Sequence, residues 1–112
     1  MRAHKHLAAA TDAQLAVAAE VLGLLADPTR LRLLRLLGGG ESDVSTLTEQ
    51  VSATRSSVSQ HLGRLRLAGL VASRRDGRRM LYRIPSAHLS ALVDEALEFA
   101  DHAVRGIPDH SQ

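Results

Sequence analysis

The sequence predicts a mainly α-helical domain with a small β-hairpin: a winged helix-turn-helix of five helices, with the hairpin between the fourth and the fifth. Three observations carry this. Val44 to Ala68 reads as two short helices joined by a tight turn. Leu70 to Arg83 reads as two strands around Asp76-Gly77. Apolar residues at three- and four-residue spacing run through both ends of the chain.

Residues 1–11 are expected to form a loose arm carrying His4, Lys5 and His6. Thr11 or Asp12 then caps a first helix through Leu25, whose apolar face is Leu15, Ala18, Val21, Leu22 and Leu25. Asp27-Pro28 opens a second helix, with Asp as cap and Pro in the first turn. Leu31, Leu34 and Leu37 form its buried stripe, Arg30, Arg32 and Arg35 its outer side, and Gly38-Gly39-Gly40 its end.

Ser45 is placed to cap a third helix bearing Leu47 and Val51, and Ser52-Ala53 makes the turn. Thr54 caps the fourth helix, which buries Val58, Leu62 and Leu65 and stops at Gly69. Between its apolar positions that helix shows Thr54, Arg55, Ser56, Ser59, Gln60, His61 and Arg64, side chains that hydrogen-bond to base edges and phosphates. Asp76-Gly77 supplies the two-residue turn of the hairpin, because glycine accepts positive φ. Arg74, Arg75, Arg78 and Arg79 flank it. A final helix runs from about Ser86 to Arg105. Its seam of Leu89, Leu92, Val93, Ala96, Leu97, Ala100, Ala103 and Val104 exceeds what one small domain can cover, so a homodimer packed through the first and last helices is expected. Residues 12–105 then form the domain and 106–112 a tail.

Charge is distributed unevenly. The net charge of +2 hides eight arginines against Asp76 alone between Thr54 and Arg83, a balance of +7. Residues 84–112 come to −4 and residues 1–53 to −1. A basic module of this kind seeks a polyanion, with double-stranded DNA the expected partner. The absence of cysteine excludes disulfides, thiolate metal sites and thiol redox sensing. No run of apolar residues is long enough for a membrane span, and a cytoplasmic location is expected. No Ser/His/Asp arrangement, carboxylate pair or glycine-rich phosphate loop points to an enzyme. Gly38-Gly39-Gly40 lacks the Lys-Ser/Thr sequel.

Four segments in order, Leu25-Ala26-Asp27-Pro28-Thr29-Arg30-Leu31-Arg32-Leu33-Leu34, Ser56-Ser57-Val58-Ser59-Gln60-His61-Leu62, Leu67-Ala68-Gly69-Leu70-Val71 and Arg75-Asp76-Gly77-Arg78 to Leu81-Tyr82-Arg83, resemble the ArsR/SmtB metalloregulators. The resemblance spans about Asp12 to Val104. It implies a dimeric winged-helix transcription factor on an inverted-repeat operator, usually a repressor released by a metal or another inducer. The recognition helix then corresponds to Arg55 through Ala68, with Arg55, Ser56, Ser59 and Gln60 reading bases. The wing, Arg74 through Arg79, reaches phosphate or the minor groove. His61 is open between DNA contact and partial burial.

The resemblance also frames the inducer. Where family members carry thiolates before the helix-turn-helix, this chain has Asp43 and Ser45, so the soft-metal site is absent. In the family's last-helix zinc pattern, Ser86 and Phe99 are departures while His88 and His102 remain. The nickel- and cobalt-sensing branch is the nearer resemblance, and it implies His88, Asp101, His102 and His110 as ligands, with Glu98 one turn before His102. Mixed imidazole and carboxylate donors suit Ni(II) or Co(II), with Zn(II) as the tetrahedral alternative. His4 and His6 either complete the shell or sit incidentally on the arm. His88 and His102 are fourteen residues apart, about 21 Å along a helix, so a single chain does not chelate one ion with both. The competing readings are a winged-helix regulator without metal sensing, acting constitutively or with a protein partner, and an interaction module whose basic wing only solubilises.

Overall fold

The computed structural model describes residues 9–106. The order is α1 (Asp12–Leu25), α2 (Pro28–Leu37), β1 (Ser42–Asp43), α3 (Val44–Glu49), α4 (Arg55–Leu67), β2 (Ala72–Asp76), β3 (Arg79–Arg83) and α5 (Ala87–Arg105). The expected five helices and wing are present, with one strand more than the sequence predicts.

Each long helix starts at a side chain that satisfies an amide left open by the helix geometry. Thr11 Oγ1 accepts from the Gln14 amide at 3.0 Å while Gln14 Oε1 accepts from the Thr11 amide at 2.9 Å, a reciprocal capping box. Asp27 caps α2 at the Arg30 amide, Thr54 caps α4 at the Ser57 amide, and Ser86 caps α5 at the Leu89 amide. The helix α4 ends as expected at Gly69, φ +80°. The Leu70 amide donates to the Leu65 carbonyl and the Gly69 amide to the Arg66 carbonyl, the paired bonds of a Schellman motif.

Three expectations require correction. The cap of α3 is Asp43, not Ser45: its Oδ1 accepts from the Thr46 amide at 2.8 Å, and its backbone is extended because it closes β1. That strand pairs antiparallel with β3, Ser42 opposite Tyr82 and Asp43 opposite Leu81, so the sheet order is β1-β3-β2. The wing turn is Gly77-Arg78 rather than Asp76-Gly77. Asp76 pairs with Arg79 as the last rung, and Gly77 alone takes positive φ, +66°, as glycine does at the first central position of a type II′ hairpin.

One aliphatic core joins these elements. Leu33, Leu34 and Leu37 of α2 lie between Leu25 of α1, Leu47 of α3, Val58, Leu62 and Leu65 of α4, and Leu89 and Val93 of α5. The stripe of α2 is therefore rotated slightly from the expected one, with Leu33 fully buried and Leu31 only partly so. Among the described residues, no helix is long and apolar enough to cross a membrane.

Candidate nucleic-acid interface

The burial of Val58, Leu62 and Leu65 determines which side of α4 faces outward. Arg55, Ser56, Ser59, Gln60 and Arg64 are exposed together on that side, with Thr54 at its start. Arg55 donates from Nη1 to Ser45 Oγ on α3, which aims the guanidinium along the start of the helix. A cleft of about 260 Å³ opens between this point and the wing, lined by Arg55, Arg75, Arg78, Arg79, Asp43 and Ser45. Of the residues expected to meet DNA, Arg55, Arg75, Arg78 and Arg79 are thus brought around one cleft.

His61 lies at the border of the exposed face of α4, lining a shallow cavity with Gln60, Arg64 and Arg30. It is half-buried against α2, its Nδ1 3.3 Å from Arg30 Nη1 and its Nε2 3.9 Å from Asp27 Oδ2. A guanidinium only donates, so Nδ1 accepts in this contact whenever the imidazole is neutral. Arg30 also donates from Nε to the Leu24 carbonyl at the end of α1. Of the two expectations for His61, the isolated chain adopts partial burial. Asp27 is held below the usual carboxylate range, first by the Arg30 amide and further, against the cost of its desolvation, by the charges of His61 and Arg30.

The wing arginines are not equivalent. Arg74 makes a two-pronged pair with Glu41, Nε to Oε2 at 2.8 Å and Nη2 to Oε1 at 2.9 Å. Arg79 reaches Asp43 at 3.3 Å and Asp76 at 3.2 Å. Among the described residues, Arg75 and Arg78 take part in no ion pair, and Arg75 reaches only the Gly77 carbonyl. The Arg74 hydrogen bonds hold Glu41 below the usual carboxylate range, and Glu41 in turn raises Arg74. Asp43 is lowered chiefly by the Thr46 amide, with Arg79 assisting. Sequence reading missed Glu41 and Asp43 as partners of the wing. Their two-residue spacing puts them on one side of a strand, but the strand itself was the missing signal.

The expected metal ligands are spread along α5. Glu98 and His102 are 3.8 Å apart, one turn from each other, beside a shallow cavity that Glu95 and Phe99 also line. Asp101 points elsewhere and pairs with Arg105 at 3.1 Å. His88 borders a separate cavity with Val21, Leu70 and Leu92. Ser86 is engaged as the helix cap. His110, like His4 and His6, lies outside the described residues. Among the described residues no three His, Asp or Glu side chains gather closely enough to hold an ion. The donor chemistry suits a borderline metal, but one copy of α5 brings at most two donors to one place.

The family model described as "Bacterial regulatory protein, arsR family" matches residues 27–73, which is α2 through the first residues of the wing. The regulator KmtR of Mycobacterium tuberculosis is 46% identical over 99 residues, 88% of this chain and 76% of that protein. The chain belongs to the ArsR family. NmtR of the same organism, also an HTH-type transcriptional regulator, is 37% identical over 91 residues, 81% of this chain and 76% of that protein. Among solved structures, a homodimeric winged helix-turn-helix DNA-binding domain from Mycobacterium bovis superposes with a TM-score of 0.74 at 31% identity, covering 88% of this chain and 94% of that one. HlyU from Vibrio cholerae does so with a TM-score of 0.74 at 28% identity, covering 80% of this chain and 97% of that one. As an ArsR-family member the chain is a DNA-binding transcriptional regulator, and these relatives are regulators rather than enzymes.

Proposed function

We propose that this regulator works as a homodimer on an inverted-repeat operator, as a repressor, and that Ni(II) or Co(II) shared between two copies of α5 alters its hold on DNA. The carrying observation is the division of labour along the chain. The cationic face of α4 and the wing holds no candidate metal ligand of the set, whereas His88, Glu98, Asp101 and His102 all stand exposed on the acidic last helix.

Two features support a second copy. Leu15, Val17 and Leu22 of α1 and Phe99 and Val104 of α5 are more than half exposed, apolar surface on the two terminal helices that a second copy would cover. Secondly, antiparallel packing of two α5 helices brings His88 of one near Glu98 and His102 of the other, which a single helix cannot do. In that arrangement His88, Glu98 and His102 would hold the ion, and Asp101 would join them only by leaving Arg105. The bound ion supplies a fixed bridge between the two helices. The helices determine how far apart two α4 helices stand, and successive major grooves lie about 34 Å apart, so a change in their angle changes operator affinity.

Ser86 as a cap and Phe99 in place of a ligand favour a second reading, in which the same dimer has no metal response. One experiment separates the two: gel shift on the chain's own upstream region, with apo protein and with Ni(II), Co(II) or Zn(II), beside calorimetric Ni(II) titration. The metal reading expects tight Ni(II) binding, a shifted operator affinity, and loss of both in His88→Ala/His102→Ala. Equal binding by the double variant removes it in favour of the second reading.

A further inference from the structure

We infer that Glu41 and Asp43 act as internal stand-ins for DNA phosphate: they hold Arg74 and Arg79 ready and restrain the wing from binding DNA of the wrong sequence. The inference rests on the DNA-binding reading above and adds to it a role in specificity for two carboxylates.

Its basis is the sheet. The pairing of β1 with β3 and of β3 with β2 brings Glu41, just before β1, and Asp43, at its end, to the same side as Arg74 and Arg79. The fork between Arg74 and Glu41 has the planar, two-pronged form with which a guanidinium also meets a phosphate. Asp43 Oδ2 contacts Arg79 at the edge of the cleft that Arg55, Arg75 and Arg78 line. The carboxylates thus occupy the position relative to the arginines that a backbone phosphate would take.

Exchange is physically reasonable for Arg74 and Arg79 because both guanidinia are more than half exposed, so each can turn outward to a phosphate while Glu41 and Asp43, which are more shielded, stay in place. A phosphate placed among several guanidinia gains more than one carboxylate does alone. The consequence differs between DNA sequences. Binding to any DNA scales with the cationic charge that the protein presents, so two internal anions reduce nonspecific binding most. Operator binding also draws on base contacts from α4, which the carboxylates do not touch. Glu41 and Asp43 therefore widen the ratio between right and wrong sequence.

The test uses the full chain and fluorescence anisotropy on two duplexes, its own upstream region and a scrambled sequence, between about 50 and 200 mM salt. Glu41→Gln is the informative variant, since Asp43 also caps α3. It is expected to tighten the scrambled duplex by roughly three- to tenfold, steepen the salt dependence by about one unit of slope, and tighten the operator less. Glu49→Gln removes a charge from the exposed side of α3 where no arginine is paired, and is expected to move both duplexes less. In an Arg74→Ala background the Glu41→Gln effect disappears.

Weaker binding of both duplexes by Glu41→Gln would show that Arg74 is only a brace, and would overturn the inference. So would equal effects of Glu41→Gln and Glu49→Gln, or an effect that persists without Arg74. Should the wild-type chain bind neither duplex in a salt-dependent way, the DNA-binding reading itself fails and takes this one with it. That result is distinct from the others because it requires no variant.

Discussion

The helix-turn-helix closes on itself through Leu47, Val58, Leu62 and Leu65, none with exposed surface, while α1 and α5 leave Leu15, Val17, Leu22, Phe99 and Val104 more than half exposed. Charge divides the same way. The head is cationic and answers part of that charge from within, through Glu41 and Asp43, whereas α5 is acidic and its ligand-type side chains are spread along one helix. The difference teaches that the core of the head is filled within one chain, Leu67 at the end of α4 apart, whereas α1 and α5 carry several large apolar side chains that this chain leaves uncovered.

The sharpest way to break that comparison is in the core of the head. Leu62→Ala is expected to destabilise the fold by roughly 2–5 kcal/mol, measured by urea unfolding, because the cavity lies where α2 and α4 meet and little can collapse into it. A loss below about 1 kcal/mol would mean that the head is less self-contained than its burial indicates.

Next in size is the open end. Leu92→Asp with Phe99→Asp is expected to leave helix content unchanged and to convert the dimer to monomer in sedimentation. Operator affinity then falls on the order of a hundredfold, since two linked half-sites become one. Retained dimerisation would move the interface away from α5.

A smaller effect sharpens the reading surface. Arg55→Ala is expected to weaken operator binding by about tenfold, and to reduce discrimination against substituted half-sites if the arginine reads a base. A uniform loss across sequences would assign it to phosphate instead.

Acid gives the smallest effect. Asp27, Glu41 and Asp43 are all held below the usual carboxylate range, so the folded state binds their protons less readily than the unfolded one. Their contribution is complete above about pH 5 and is lost as pH falls through the lowered values, below about pH 4. Thermal unfolding between pH 7 and 3 checks this: Glu41→Gln is expected to lower the neutral plateau slightly and leave stability at pH 3 nearly unchanged, so that the acid limb becomes flatter.

The parts of the molecule legible in the sequence are those decided within a few residues. Asp27 and Thr54 cap as expected, and Thr11 is the cap of the two offered, because each bonds an amide three positions on, and Gly69 stops α4 through bonds equally local. What escaped depends on distant pairing. Two residues of β1 are too short to show alternation, and Ser42 finds its partner at Tyr82. Once β1 was missed, the cap of α3 and both carboxylate partners of the wing were missed with it. The turn was placed one residue early because rung pairing, rather than glycine alone, settles where a hairpin closes. The outward face of α4 was readable from its apolar spacing, but His61 was not, since its partner Arg30 lies thirty-one residues away. The candidate donors of α5 are readable as residue types, but among the described residues no three of them gather in one chain.

The two-residue strand has a mechanical consequence. By joining the approach to α3 to the inner strand of the wing, β1 makes the helix-turn-helix and wing one stiff piece, unable to flex about the Gly69 turn without breaking a sheet. In the proposed dimer, a change in the spacing of the two α4 helices would then have to come from the terminal helices, as the opening of calipers comes from the pivot and not from the jaws.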